Sequence, residues 1–176
     1  MTENDYLQPT IFWKKQRLEE LWGHLWEECD KVFGIAIPAI NKGGIKLNDE
    51  KRKAMAMELV DVQIMCNTII ASLGDYLLVD ERMLNFKQQI KENYALQIVN
   101  LMEQKTSAAM LYKDIIRKNK HTAKNKHTAK MEFRNRLCNV VIAAEALMSW
   151  ILPDKKSRNE TREKTFNKNN DRGYYG

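Results

Sequence analysis

Two carboxylates stand in a stretch of sequence that otherwise carries no charge. From Ala54 to Gly74 the chain reads AMAMELVDVQIMCNTIIASLG, and Glu58 and Asp61 are its charged residues. On a helix that advances about 100° per residue, Ala54, Met55, Val62, Met65 and Ile69 surround the pair, so both acids project from a face expected to be buried. Taking a carboxylate out of water costs several kcal/mol unless something compensates. Two carboxylates at i, i+3 also repel one another. Lys51 and Lys53, one or two turns earlier, reach partway and make a structural ion pair one remedy. A hard divalent cation relieves both costs together, because carboxylate oxygens are the preferred ligands of magnesium. The expected cofactor is therefore Mg2+, with Mn2+ as its substitute.

A metal site needs further ligands, and acids recur at helical spacing in EECD, Glu27 to Asp30. Glu27 and Asp30 repeat the i, i+3 spacing, although Glu27 falls opposite the apolar stripe of its helix, where a charged residue normally meets water. Two antiparallel helices joined by a short connection could present both pairs to one cation. Glu20 and His24 extend the same polar face. A carboxylate-bridged di-iron bundle requires Glu-x-x-His on two separate helices, and no such motif occurs.

The elements that would position these groups are helical. Leu18, Leu21, Trp22, Leu25, Cys29, Val32 and Phe33 recur at three- and four-residue steps within a helix expected from about Pro9 to Phe33. Gly34, Pro38 and Gly43-Gly44 end it. Asn48 or Asp49 caps a second helix that runs to about Leu73, with Gly74 as its stop. A third helix is expected from about Asp80 to Asn119, with a break near Thr106-Ser107, and a fourth from about Met131 to Leu152, ended by Pro153. The polar tail 154–176 suggests one or two helical turns. No segment alternates at period two, so the expected fold is an all-α bundle of four to six helices in a single domain, 1–176.

Only seven Gly and three Pro interrupt the 176 residues, which favours helix throughout. Cys29, Cys66 and Cys138 show no CxxC pairing, which fits free thiols in a reducing compartment rather than a disulfide scaffold. The charge-free run Val62–Gly74 is short and contains Gln, Asn, Thr and Ser, so no membrane span is expected there. The N-terminal MTENDYLQPT has no apolar segment of the kind a signal peptide needs. Both features suggest a cytoplasmic protein.

The net charge of +6 is unevenly placed, with nine Lys/Arg against Asp114 and Glu132 between Lys113 and Arg136. Such a region attracts nucleic acid, nucleotide phosphates or an acidic partner, or is simply solvated. Within it, NKHTAK at Asn119–Lys124 is copied as Asn125–Lys130. Six residues advance a helix by roughly 600° and so do not preserve a face. The repeat, 119–130, is therefore expected to be a basic insertion or loop, with His121 and His127 at its surface.

The spacing Glu27-x-x-Asp30, then 27 residues, then Glu58-x-x-Asp61 resembles the signature of the all-α nucleoside triphosphate pyrophosphohydrolases, among them the MazG proteins and the dimeric dUTPases. MELVDVQIMCNTIIASLG is similar to the version in dimeric dUTPases and phage dCTPase/dUTPases. The ending FNKNNDRGYYG resembles the Lys-Asn, Arg and Gly-Tyr tail of those enzymes. The resemblance covers about Leu18–Gly74 and Phe166–Gly176. It implies that Glu27, Asp30, Glu58 and Asp61 hold magnesium, in a register that also admits Glu28 in place of Glu27. It further implies that Lys168, Asn169, Arg172 and Tyr174 close on the nucleotide.

The activity so implied is conversion of a (d)NTP and water to a (d)NMP and pyrophosphate, with Glu27 or Glu28 orienting or deprotonating the attacking water. Trp22 or Trp26 would be available to stack on the base, although packing in the core is the simpler role for either. Two readings compete with this one: a non-enzymatic helical module that binds nucleic acid or a protein through the basic half, and a pyrophosphohydrolase fold that has become an inactive scaffold. A helix apolar on most of its circumference, such as Ala54–Leu73, needs cover on several sides, so a homodimer or homotetramer is expected.

Overall fold

The computed structural model describes residues 6–41, 44–45, 47–74, 94–117 and 123–176. It is an all-α bundle built around one central helix. A short helix α1 (Phe12–Lys15) precedes α2 (Leu18–Ala36). A two-residue antiparallel pair, β1 (Ile40–Asn41) and β2 (Gly44–Ile45), follows, with Ile40 opposite Ile45. The central helix is α3 (Asp49–Ser72), and α4 (Tyr94–Arg117), α5 (Ala123–Ile151) and α6 (Lys155–Asp171) complete the chain.

Local chemistry accounts for most boundaries. The expected first helix divides because Gln16 and Arg17 are extended, and the Arg17 N–H donates to the Glu20 carboxylate at 3.0 Å to start α2 afresh. Asn48 caps α3 by accepting from the Lys51 N–H at 2.9 Å, with Asp49 and Glu50 favourably placed in the first turn. Gly74 takes the left-handed conformation, φ 81°, that ends α3. The break expected near Thr106-Ser107 is not present. The Thr106 hydroxyl instead donates back to the Met102 carbonyl at 2.8 Å and the helix continues. Residues 80–93 of that expected helix lie outside the described residues.

Helix α3 is covered by α1, α2, α5 and α6 of the same chain. By length and composition alone it is long and apolar enough to cross a membrane. However, 83% of its most apolar 18-residue window is buried under the other helices. Leu21, Leu25, Cys29 and Val32 of α2 and Phe133, Leu137, Val140, Val141, Ala144 and Leu147 of α5 join it in one apolar core. The N-terminal arm is hydrogen-bonded onto α3, with Asn67 donating to the Leu7 carbonyl at 2.7 Å and the Thr10 N–H donating to Thr68 Oγ1 at 3.0 Å.

Two expectations fail at the C-terminal end. The second copy of the repeat is not loop, because α5 already runs through Ala123–Lys130. The first copy falls largely outside the described residues. The tail is not one or two turns but the 17-residue helix α6. Asp154 caps it by accepting from the Ser157 N–H at 2.8 Å.

Candidate metal centre

Glu58 and Asp61 lie one turn apart on α3, and α2 brings Glu28 across to them. Oxygens of the three carboxylates all lie within 4.8 Å of one another. Asp61 is buried at 8% exposure, while Glu28 and Glu58 are partly buried. Three carboxylates with so little water around them require positive charge, and two lysines supply part of it. Lys31, one turn after Glu28, donates to both of its oxygens at 3.0 Å. Lys168 of α6 donates to Asp61 Oδ2 at 2.6 Å, and Asn169 donates to Asp61 Oδ1 at 2.8 Å.

The electrostatics follow from this crowding. Burial pushes the Glu28 carboxyl up to about 7. The Asp61 charge and a hydrogen bond shared with Glu58 add to the rise, and Lys31 works against it. For Lys31, burial works against the charged form, but the hydrogen bonds and charges of Glu28 and Glu27 outweigh it and raise the ammonium's pKa. The Tyr175 phenol, which stacks on Phe166 with ring centroids 4.6 Å apart, is held well above the usual phenol range. Burial is the main cause and the Asp61 charge a second.

The structure brings together some of the sequence-derived candidates and not others. Glu58, Asp61, Lys168 and Asn169 converge, and Glu28 is the member of the first motif that joins them. Glu27 is outside the cluster, its side chain 62% exposed, with Lys31 at 3.4 Å and His24 at 4.0 Å. Asp30 is outside it too. It pairs at 2.8 Å with Lys105 of α4, whose ammonium sits 3.6 Å over the Trp26 ring. Trp22 packs in the core against Tyr112 and Phe133. Arg172 is exposed at the end of α6, and Tyr174 packs edge-on against Phe12 at 4.9 Å while its carbonyl accepts from the Ile11 N–H. His127 lies elsewhere, beside a cavity of about 300 Å³ that Lys130, Arg134 and Gly74 also line.

Glu28 was legible in principle. Leu21, Leu25, Glu28 and Val32 follow one another at steps of four, three and four, so Glu28 stands in the apolar stripe while Glu27 stands outside it. Lys31 was legible too, as the i, i+3 partner of Glu28 on one helix, whereas Tyr175 carried no such signal, since it takes its meaning from Asp61 across the fold.

The donor set suits a hard cation. Oxygen ligands opposite one another on a six-coordinate magnesium are about 4.2 Å apart, so small side-chain rotations would close the observed cluster onto one ion. Three carboxylates leave further positions for water or phosphate oxygens, as magnesium prefers. Lys168 supplies Asp61 with the basic partner that is the other remedy for a buried acid, from α6 rather than from Lys51 or Lys53. No family model, no curated protein and no solved structure matches this chain.

Proposed function

We propose that this protein is a metal-dependent nucleoside triphosphate pyrophosphohydrolase, built like the MazG and dimeric dUTPase enzymes, that converts a (d)NTP and water to a (d)NMP and pyrophosphate. The observation that carries the reading is the convergence of Glu28, Glu58 and Asp61 beside Lys168 and Asn169. Sites for hydrolysis of phosphoanhydrides combine acids that hold cations with basic and amide groups that meet phosphate oxygens.

In this reading Glu28, Glu58 and Asp61 hold Mg2+ or Mn2+, which when bound offsets the triphosphate charge and polarises the phosphoryl oxygens. Glu28 is the carboxylate that orients the attacking water or receives its proton. Water adds to the α-phosphorus, the α–β phosphoanhydride bond breaks, and pyrophosphate leaves with that bond's electron pair. Lys168 and Asn169 would meet phosphate oxygens, and Arg172, exposed one turn on, would reach them as the tail closes. The three free thiols fit a cytoplasmic nucleotide pool.

The test is pyrophosphate release across canonical and deoxy nucleoside triphosphates with magnesium or manganese. Glu58→Gln and Asp61→Asn are each expected to lower the rate by at least about 100-fold, in line with loss of a metal ligand, while the circular dichroism spectrum stays that of the wild type. Absence of release from every nucleotide tried would defeat the reading. A second reading draws on α5, where His127 and Lys130 are exposed on the second repeat copy beside Arg134. A helical module binding nucleic acid there would give a strongly salt-dependent mobility shift and no turnover.

A further inference from the structure

The three carboxylates share a small space with two ammonium groups, those of Lys31 and Lys168. The two lysines are held differently. Lys31 sits on the same helix as Glu28, one turn away, and travels with it. Lys168 comes from α6, 107 residues along the chain from Asp61, and only that helix's position puts it there. Its side chain is 27% exposed against 11% for Asp61, so the contact sits at the rim, with a way out to solvent.

Upstream, α6 is fastened independently of the cluster. Arg162 donates to Glu145 of α5 at 2.6 Å, and Arg158 lies 3.6 Å from the same carboxylate. These ion pairs hold the first turns of α6 to α5 whether or not Lys168 contacts Asp61. Gly173, with φ 74°, ends the helix and turns the chain toward Ile11.

Resting on the metal-site reading above, we infer that Lys168 is a tethered counter-cation that competes with the divalent metal for Asp61, so that metal binding and docking of the last turn of α6 oppose each other. An ammonium 2.6 Å from Oδ2 takes one of that oxygen's lone pairs and repels a divalent ion bound to the same carboxylate. Metal binding therefore weakens the Lys168 contact, and by reciprocity a docked Lys168 weakens the metal. The loosened ammonium and the last turn, with Asn169, are then free to reorient at the mouth of the site. The contact keeps the acids neutralised when no metal is bound, at the expense of metal affinity.

The experiment titrates Mn2+ into the full chain and reads free Mn2+ by electron paramagnetic resonance, for wild type, Lys168→Met and Glu58→Gln. Lys168→Met keeps the apolar stem and removes the ammonium. It is expected to bind Mn2+ at least fivefold more tightly than wild type, and Glu58→Gln to lose the binding. Equal or weaker binding by Lys168→Met, with Glu58→Gln still defective, would overturn the competition and leave the metal site standing. No binding by any of the three would remove both. A measurement on wild type alone guards against misfolding of the variant: saturating Mn2+ should speed amide hydrogen exchange across Asn167–Tyr175 and leave Ser157–Thr165 unchanged. Unchanged or slower exchange in the tail counts against the competition.

Discussion

At Glu28, burial, the Asp61 charge and the hydrogen bond shared with Glu58 together outweigh two hydrogen bonds from Lys31. The folded protein holds the proton up to about pH 7, whereas the unfolded chain releases it near 4.5. Between those values the native state binds more protons than the unfolded state, so unfolding free energy falls as pH rises. The contribution is complete below about pH 4.5 and lost by about pH 7. In chelator, urea unfolding should therefore show about 1–2 kcal/mol less stability at the upper end of this window from this group, after allowance for its partial exposure. Glu28→Gln should flatten that slope, and an unchanged slope would place the protonation elsewhere. Glu58 and Asp61 are legible in the sequence because charge inside an apolar run is visible locally. Spacing alone points to Glu27 and Asp30, because it does not say which side of α2 meets α3. Asp30 instead meets Lys105, across a helix pair whose partner lies 75 residues away.

Helix α6 shows what periodicity reading misses at the scale of an element. Its buried residues are Thr161, Arg162, Thr165, Phe166 and Asn169, all but one of them polar. Their steps of one, three, one and three are helical, but a search for apolar stripes passes over them. Hydrogen bonds and ion pairs replace apolar burial here: Glu145, at 6% exposure, meets Arg158 and Arg162 and accepts from Gln63 of α3 at 3.0 Å. Breaking a buried pair from one side strands the other charge. Glu145→Leu is expected to cost about 3–5 kcal/mol in urea unfolding, and Glu145→Leu with Arg162→Met distinctly less. A single variant within about 0.5 kcal/mol of wild type would refute the clamp. By contrast, α3 was legible from end to end, because Asn48, the apolar run and Gly74 are all signals in the chain itself.

In the whole molecule, the proposed cation would tie α2 to α3, the pair that forms the heart of the bundle. A ligand that binds the folded state alone stabilises it by about 2.7 kcal/mol at 100 times its Kd. For a chain of this size, that should raise the Tm by about 5–10 °C. Calorimetry with Mn2+ and with chelator measures the difference, and Glu58→Gln should abolish it. Within the chain, α3 is covered by α1, α2, α5 and α6. The duplicated hexapeptide has a consequence of its own. Its second copy occupies the start of α5, where His127 and Lys130 are exposed, and Phe133 is the first buried side chain of that helix among the described residues. Another copy in tandem would lengthen the unburied lead-in by about 9 Å, at 1.5 Å per residue, without rotating Phe133, Leu137 or Val140 relative to their neighbours. A tandem insertion at this point thus leaves Phe133, Leu137 and Val140 in the same helical phase within the core.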